Sequence, residues 1–181
     1  MDIFAHAVWT NVVYYKKYRT EVMNRWISIF FGIMPDLISF TPVFLYSRIL
    51  KVDFFELIGR NIWPVKFASL SYNYTHSLII FLAVFAIVGL TRSRKSLKFI
   101  YWPMFGWMLH ILIDIFTHKG FYETPFLFPL SNYRFTHGVS WGQPTFMIIN
   151  YSALSFIYLF WFLILRRREF QKQPKEKIAK T

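Results

Sequence analysis

The 181-residue chain is 55% hydrophobic, 22% aromatic and only 17% charged. An ordinary soluble domain is thereby excluded, since soluble chains carry about 25% charged residues and one this small could not hide so much apolar surface; a disordered chain, apolar-poor and charge-rich, is excluded too. The net charge of +12 suits either a nucleic-acid partner or the basic loops of a membrane protein, and the lack of cysteine removes disulfides and thiolate metal sites.

A helix crossing the hydrocarbon core needs about 20 mostly apolar residues. Residues 2–15 are apolar but shorter than that, and they lack the basic start and small-residue cleavage site of a signal peptide. They form either a short extra span or a helix tucked into the outer half of the bilayer. Four spans are expected near 26–47, 68–90, 98–118 and 143–165, where, past Lys98 at the edge of the third, charged residues are absent or reduced to Asp36 and Asp114. The connection 48–67 mixes charges with aromatics and predicts a short interfacial helix. Tyr72, Tyr74, Tyr101, Trp102, Trp107, Tyr133 and Trp141 fall near span ends, as an aromatic belt would. The expected fold is therefore all-α, a polytopic membrane bundle of four to five helices. One integral membrane domain covers 1–168, followed by a frayed basic tail over 169–181.

Basic residues cluster in three segments. Lys16, Lys17, Arg19 and Arg25 follow the first apolar stretch, Arg92, Arg94, Lys95 and Lys98 separate the second and third spans, and Arg166, Arg167, Arg168 and four further lysines make the tail. Their excess places these segments and the C-terminus in the cytoplasm of a cell whose inner membrane holds the spans. Basic groups that flank spans do not form one nucleic-acid-binding face, so nucleic acid is not an expected partner. Membrane lipid is the expected environment and a possible substrate; the pattern says nothing of oligomeric state.

Polar residues inside spans are costly and need a reason. In HILIDIFTH, His110, Asp114 and His118 recur at i, i+4 and i+8, so they share a helix face and neighbours along it can grip one metal ion. Asp36 follows Pro35 in GIMPDLISF, where a proline kink suits an ion site. His6, His76 and His137 lie in an apolar segment, at a span start and in a loop. Each has a plain alternative: a helix-packing hydrogen bond, a cap or a loop residue. With the orientation above, His6, His76, Asp114, His118 and His137 fall in the outer half, with His110 and Asp36 roughly 12 Å below the rim. All seven can converge on one site open to the outside. Imidazole and carboxylate without thiolate suit Zn, Mn or Fe, in one to three ions. Metal-assisted hydrolysis of an ester or phosphoester is one reading, with Asp36 as ligand or general base and Arg134 holding the substrate anion or merely anchoring at the interface. A metal-ion or proton transporter, or a non-catalytic protein whose His and Asp only pack, are the alternatives.

GIMPDLISF, YNYTHSLIIF and GWMLHILIDIFTHKG, in this order, resemble the signature of the bacterial membrane-bound metal-dependent hydrolases, the YdjM-like family. The matching positions are His6, Pro35-Asp36, Thr75-His76-Ser77 and Gly106, His110, Asp114. Two positions depart from the pattern: Ile38 stands where a second acid is usual, and Ser71-Tyr72-Asn73 where His-Arg-Gly often precedes the THS. The family is distantly similar to zinc-dependent phospholipase C and the P1-type nucleases, whose ligand order resembles His6, Asp36, His76, His110-Asp114, His118, His137. Their terminal-amine ligand is not matched, since His6 lies five residues in, and Trp141 stands where they carry a glutamate. The resemblance implies hydrolase chemistry and a zinc site.

Overall fold

The computed structural model describes every residue except Arg19, 97–99, Phe121 and 179–181, and omits the side chains of 93–96 and 165–178. Several of the basic residues that orient the chain (Arg19, Arg94, Lys95, Lys98 and Arg166 to Arg168) therefore lie outside the described residues or side chains. Among the described residues all regular structure is helical. The chain divides into two units, Met1–Gly142 and Gln143–Thr181. The first holds α1 (Ile3–Tyr15), α2 (Val22–Leu50), α3 (Phe54–Ile58), α4 (Trp63–Thr75), α5 (Leu78–Ser96), a 3-10 turn at Trp102–Met104 and α6 (Phe105–Thr117). The second holds α7 (Pro144–Ile178).

The membrane-crossing count is lower than expected. α2, with 29 residues and a mean hydropathy of 1.6, and the 21-residue stretch Pro144–Ile164, at 1.8, are long and apolar enough to span. The apolar run expected as one span at 68–90 is broken: α4 ends at Thr75, α5 begins at Leu78, and the two are bent by 63°. They count as a third span only if the bent pair crosses as one. α6 is 13 residues, about 20 Å at 1.5 Å per residue, against a hydrocarbon core of about 30 Å. α1 is equally short. Composition alone overcounts because hydropathy is blind to where a helix bends or stops. The short helix expected between 48 and 67 is present as α3, capped by Asp53, whose carboxylate accepts from the N–H groups of Phe55 at 2.8 Å and Glu56 at 3.3 Å. In the second unit, α7 stays helical through the basic run where fraying was expected.

α2 is the spine of the first unit, packing against α1, α4 and α6. Its buried face is Ser28, Gly32, Pro35, Asp36, Ser39, Val43 and Ser47, a row of mostly small residues at helical spacing. Small residues let backbones approach closely, which is how helices associate where lipid supplies no hydrophobic drive. The closest approach is at Gly106 of α6, where a Cβ would stand 2.2 Å from the Ser28 carbonyl oxygen. A Cβ at Gly32 would stand 2.2 Å from Thr10 Oγ1 of α1. These two glycines therefore set the distance of α6 and α1 from α2. Apolar clusters flank the crossing: Val43, Leu57, Ile58, Val65 and Ala68 on one side, and Phe81, Met104, Trp107, Ile111 and Ile115 on the other.

Gly106→Ala should force α6 off α2 and destabilise the fold by about 1–3 kcal/mol, the usual cost of overpacking. Gly59→Ala, whose Cβ would meet nothing nearer than 3.8 Å, should change stability by less than about 0.5 kcal/mol. Melting of the two variants in the same detergent checks this; equal melting temperatures would refute the close crossing.

Candidate metal centre

Each contributing helix delivers its polar residue for a local reason. Asp2 caps α1, its carboxylate accepting from Phe4 N–H at 3.1 Å and Ala5 N–H at 3.0 Å. From that start His6, Thr10 and Tyr14 recur every four residues on the buried face. Pro35 within α2 removes the N–H that would bond the carbonyl one turn back, and Asp36 follows it on the buried face. At the α4–α5 break, Thr75-His76-Ser77 builds its own corner. His76 ends α4, and Ser77 starts α5 by accepting from Ile80 N–H at 3.1 Å and donating to the Phe128 carbonyl. In α6, Gly106, His110 and Asp114 repeat every four residues, so the glycine that brings α6 onto α2 also aims the next two turns at Asp36.

Asp36, His76, His110 and Asp114 are all buried and each offers one ligand atom within 4.8 Å of the others. Every His–His and His–Asp separation among them is short. His76 Nε2 lies 3.0 Å from His110 Nε2, 3.4 Å from Asp36 Oδ1 and 3.6 Å from Asp114 Oδ2. His110 Nε2 lies 3.7 Å from Asp36 Oδ1 and 3.1 Å from Asp114 Oδ2. Ligands on one tetrahedral zinc, at about 2.0–2.1 Å from it, stand about 3.3 Å apart.

The surrounding hydrogen bonds fix which ring nitrogens face inward. His110 Nδ1 lies 2.8 Å from the Gly32 carbonyl, which can only accept, so Nδ1 carries the hydrogen. His76 Nδ1 lies 2.9 Å from Thr75 Oγ1, whose hydroxyl donates to the Ser71 carbonyl at 2.9 Å and stands 3.0 Å from Ser39 Oγ. In each ring Nε2 is left as a lone pair pointing at the other. Two lone pairs 3.0 Å apart repel unless a cation lies between them, and Asp114 Oδ2 beside them carries no hydrogen bond. The group is a buried set of acceptors, and it could hold a metal ion. This second ring of partners is what orients ligands in metal sites generally.

Two further histidines meet the other oxygen of Asp114. His6 Nε2 is 2.9 Å from Oδ1, its ring stacked on His110 with centroids 3.8 Å apart. His118 Nε2 is 3.4 Å from Oδ1 and carries no hydrogen bond, while its Nδ1 faces the Tyr122 carbonyl at 3.1 Å. The Met1 amine makes an ion pair with the same Oδ1. The sequence reading set a terminal amine aside because His6 lies five residues in; the structure corrects this, since one helical turn and the Asp2 cap bring the Met1 amine back onto Asp114.

His137 stands apart from this group, exposed on its loop with Nδ1 3.5 Å from Thr136 Oγ1. Arg134 donates to the Glu123 carbonyl and, at 3.3 Å, to Asn73 Oδ1. It lines an open cleft of about 380 Å³ with Ile58, Ser69, Tyr72, Asn73 and Tyr122. Two aromatics expected in an interfacial belt are instead buried supports of the site. Tyr72 stacks on His76 with centroids 3.7 Å apart and donates to the Tyr122 carbonyl at 2.8 Å. Trp107 donates its Nε1–H to the Thr75 carbonyl. Their polar atoms find protein partners, so neither needs the water of an interface. Of the supporting residues, Thr75 alone had a signal in the sequence, its place in the THS; the carbonyls of Gly32 and Tyr122 have no side-chain signature at all.

An all-helical protein with membrane-spanning helices and a buried His/Asp group able to hold metal is the class that fold and site define. The chain belongs to the YdjM inner membrane protein family, whose model matches residues 1–173. No curated protein and no solved structure matches it significantly.

Thr75→Val removes the acceptor of His76 Nδ1 while leaving every ligand atom in place. Affinity of the purified full chain for a divalent metal, with zinc as the probe in a chelator competition, should fall about 10- to 100-fold. Unchanged affinity would show that His76 is not oriented by Thr75.

Proposed function

We propose that the protein is a metal-dependent hydrolase of the inner membrane acting on a phosphoester or ester bond of a lipid-type substrate. The observation that carries this reading is the convergence of Asp36, His76, His110 and Asp114, with every His–His and His–Asp separation between 3.0 and 3.7 Å. Zinc is the metal that suits it, from the tetrahedral spacing and the borderline donor set. Asp114 Oδ1, which faces His6 and His118, is already paired with the Met1 ammonium, so the reading needs only one ion, at the Oδ2 side. His137 takes no part in this reading.

A divalent cation held by these residues supplies Lewis acidity and makes water a nucleophile near neutral pH. The chain's own groups do the rest. With His76, His110 and Asp114 as the residues that would hold the metal, Asp36, the one member of the group with some exposure, is free to accept a proton from the attacking water. Arg134, on the wall of the cleft beside Tyr72, holds the substrate anion. The dry, helix-enclosed setting of His76, His110 and Asp114 strengthens each of these interactions by excluding water. The basic segments on the cytoplasmic side then leave the site facing outward.

Stoichiometric metal should be found in the full chain purified without chelator, and lost in His110→Ala and Asp114→Ala. With metal present, Asp36→Asn should abolish turnover of a phospholipid in mixed micelles. Arg134→Gln should raise KM roughly 10- to 100-fold, the worth of a charge-assisted hydrogen bond, at nearly unchanged kcat. A metal-loaded protein that moves ions across sealed vesicles and cleaves no ester would overturn the hydrolase reading.

A further inference from the structure

A second cavity lies on the other side of Thr75. It is an apolar slot of about 360 Å³ between α2 and α5. Phe31, Met34 and Ile38 line it from α2, and Ile80, Val84 and Val88 from α5, with Trp107 of α6 also in its wall. The spacings are i, i+3, i+7 and i, i+4, i+8, so each helix gives the slot one whole face. Elsewhere on α5, Leu82, Ile87 and Leu90 are exposed and do not line the slot.

The slot begins where the ligating group ends. Thr75, at its upper end, holds His76 Nδ1 through Oγ1 and Trp107 through its carbonyl. Ile38 is two residues past Asp36. The polar cleft of Arg134 lies before the bend, lined from α4 by Ser69, Tyr72 and Asn73. Read along α4 and α5, the Arg134 cleft residues at 69–73 come first, then Tyr74 and Thr75, which already line the slot, with the ligand His76 at the bend, then the slot residues 80–88. An amphiphile has that order: charged head, polar linkage, hydrocarbon tail. Ile80 to Val88 spans about 12 Å along α5. An open cavity of this volume cannot take a helix about 10 Å across, and apolar walls hold water poorly because a buried water needs polar partners.

We propose that the slot between α2 and α5 receives the hydrocarbon chain of a single anionic amphiphile whose head sits in the Arg134 cleft. That its linkage then lies at the Asp36–His76–His110–Asp114 group rests on the hydrolase reading; the occupancy of the slot does not.

The test uses the full chain in a lipid bilayer and an alkyl phosphate carrying a photoreactive diazirine near the chain end. Label should concentrate on Val84, Val88 and Trp107 over Leu82, Ile87 and Leu90. Val84→Trp, which fills the slot, should cut slot labelling at least roughly tenfold, the partition gain of about two methylenes, while the metal content stays that of the wild type. Equal labelling of the slot residues and of the exposed Leu82, Ile87 and Leu90 in the wild type would overturn the inference, whether or not the variant folds. Slot labelling in a protein that binds no metal would uphold the slot and sink the hydrolase reading. Bound metal and ester cleavage with no slot labelling would do the reverse.

Discussion

The structure turns on one electrostatic demand. Two carboxylates, Asp36 and Asp114, are buried together, and the Nε2 atoms of His76 and His110 converge on them as acceptors. A buried charge without a partner is far costlier than any single packing contact. The arrangement persists only with positive charge at the focus, and the Met1 ammonium supplies part of it on the Oδ1 side of Asp114. The Oδ2 side faces the two lone pairs and has no such partner within hydrogen-bonding geometry.

The helices are arranged to create that focus. α6 can bring His110 and Asp114 against Asp36 only if it touches α2 one turn earlier, and Gly106 against the Ser28 carbonyl is that touch. α1 reaches the same place because Gly32 leaves room for Thr10, and His6 lies one turn up the same face. The α4–α5 break does the opposite job. A continuous helix would turn residue 76 along its own cylinder; the corner at Thr75-His76-Ser77 lets His76 project from a helix end, with Thr75 beside it to hold the ring. Local sequence choices and the global site agree, as they do in sequences that specify one structure.

The all-helical class and most of the site were legible because both are periodic. His110 and Asp114 at four-residue spacing share a face in any helix, and an aspartate after a proline inside an apolar run announces itself. The break at His76 was marked by the THS but not by hydropathy, which scores 68–90 as one run and so overcounted the spans. Tyr72 and Trp107 were misplaced for a related reason: aromatics near a span end look alike whether their polar atoms meet water or a buried carbonyl, and only the tertiary partner decides. The folding back of Met1 onto Asp114 depends on α1 docking against α6, which no local pattern encodes.

A packing role alone is a poor account of this group. Polar residues that hold helices together pair donors with acceptors, as Ser39 and Thr75 do at 3.0 Å and Trp107 does with the Thr75 carbonyl. His76 and His110 do the reverse: each spends its donor on the surrounding shell and turns its acceptor inward. A well-packed apolar replacement would serve stability as well or better than such a group. Transport meets a different objection. An ion path needs polar stations toward both ends of the bundle, and among the described residues of α5 the face below His76 is Ile80, Val84 and Val88. The polar groups gather at one level; Tyr72, stacked on His76, also lines the cleft of Arg134, and Thr75, bonded to His76, also lines an apolar slot. That asymmetry favours chemistry on an amphiphile over passage of an ion.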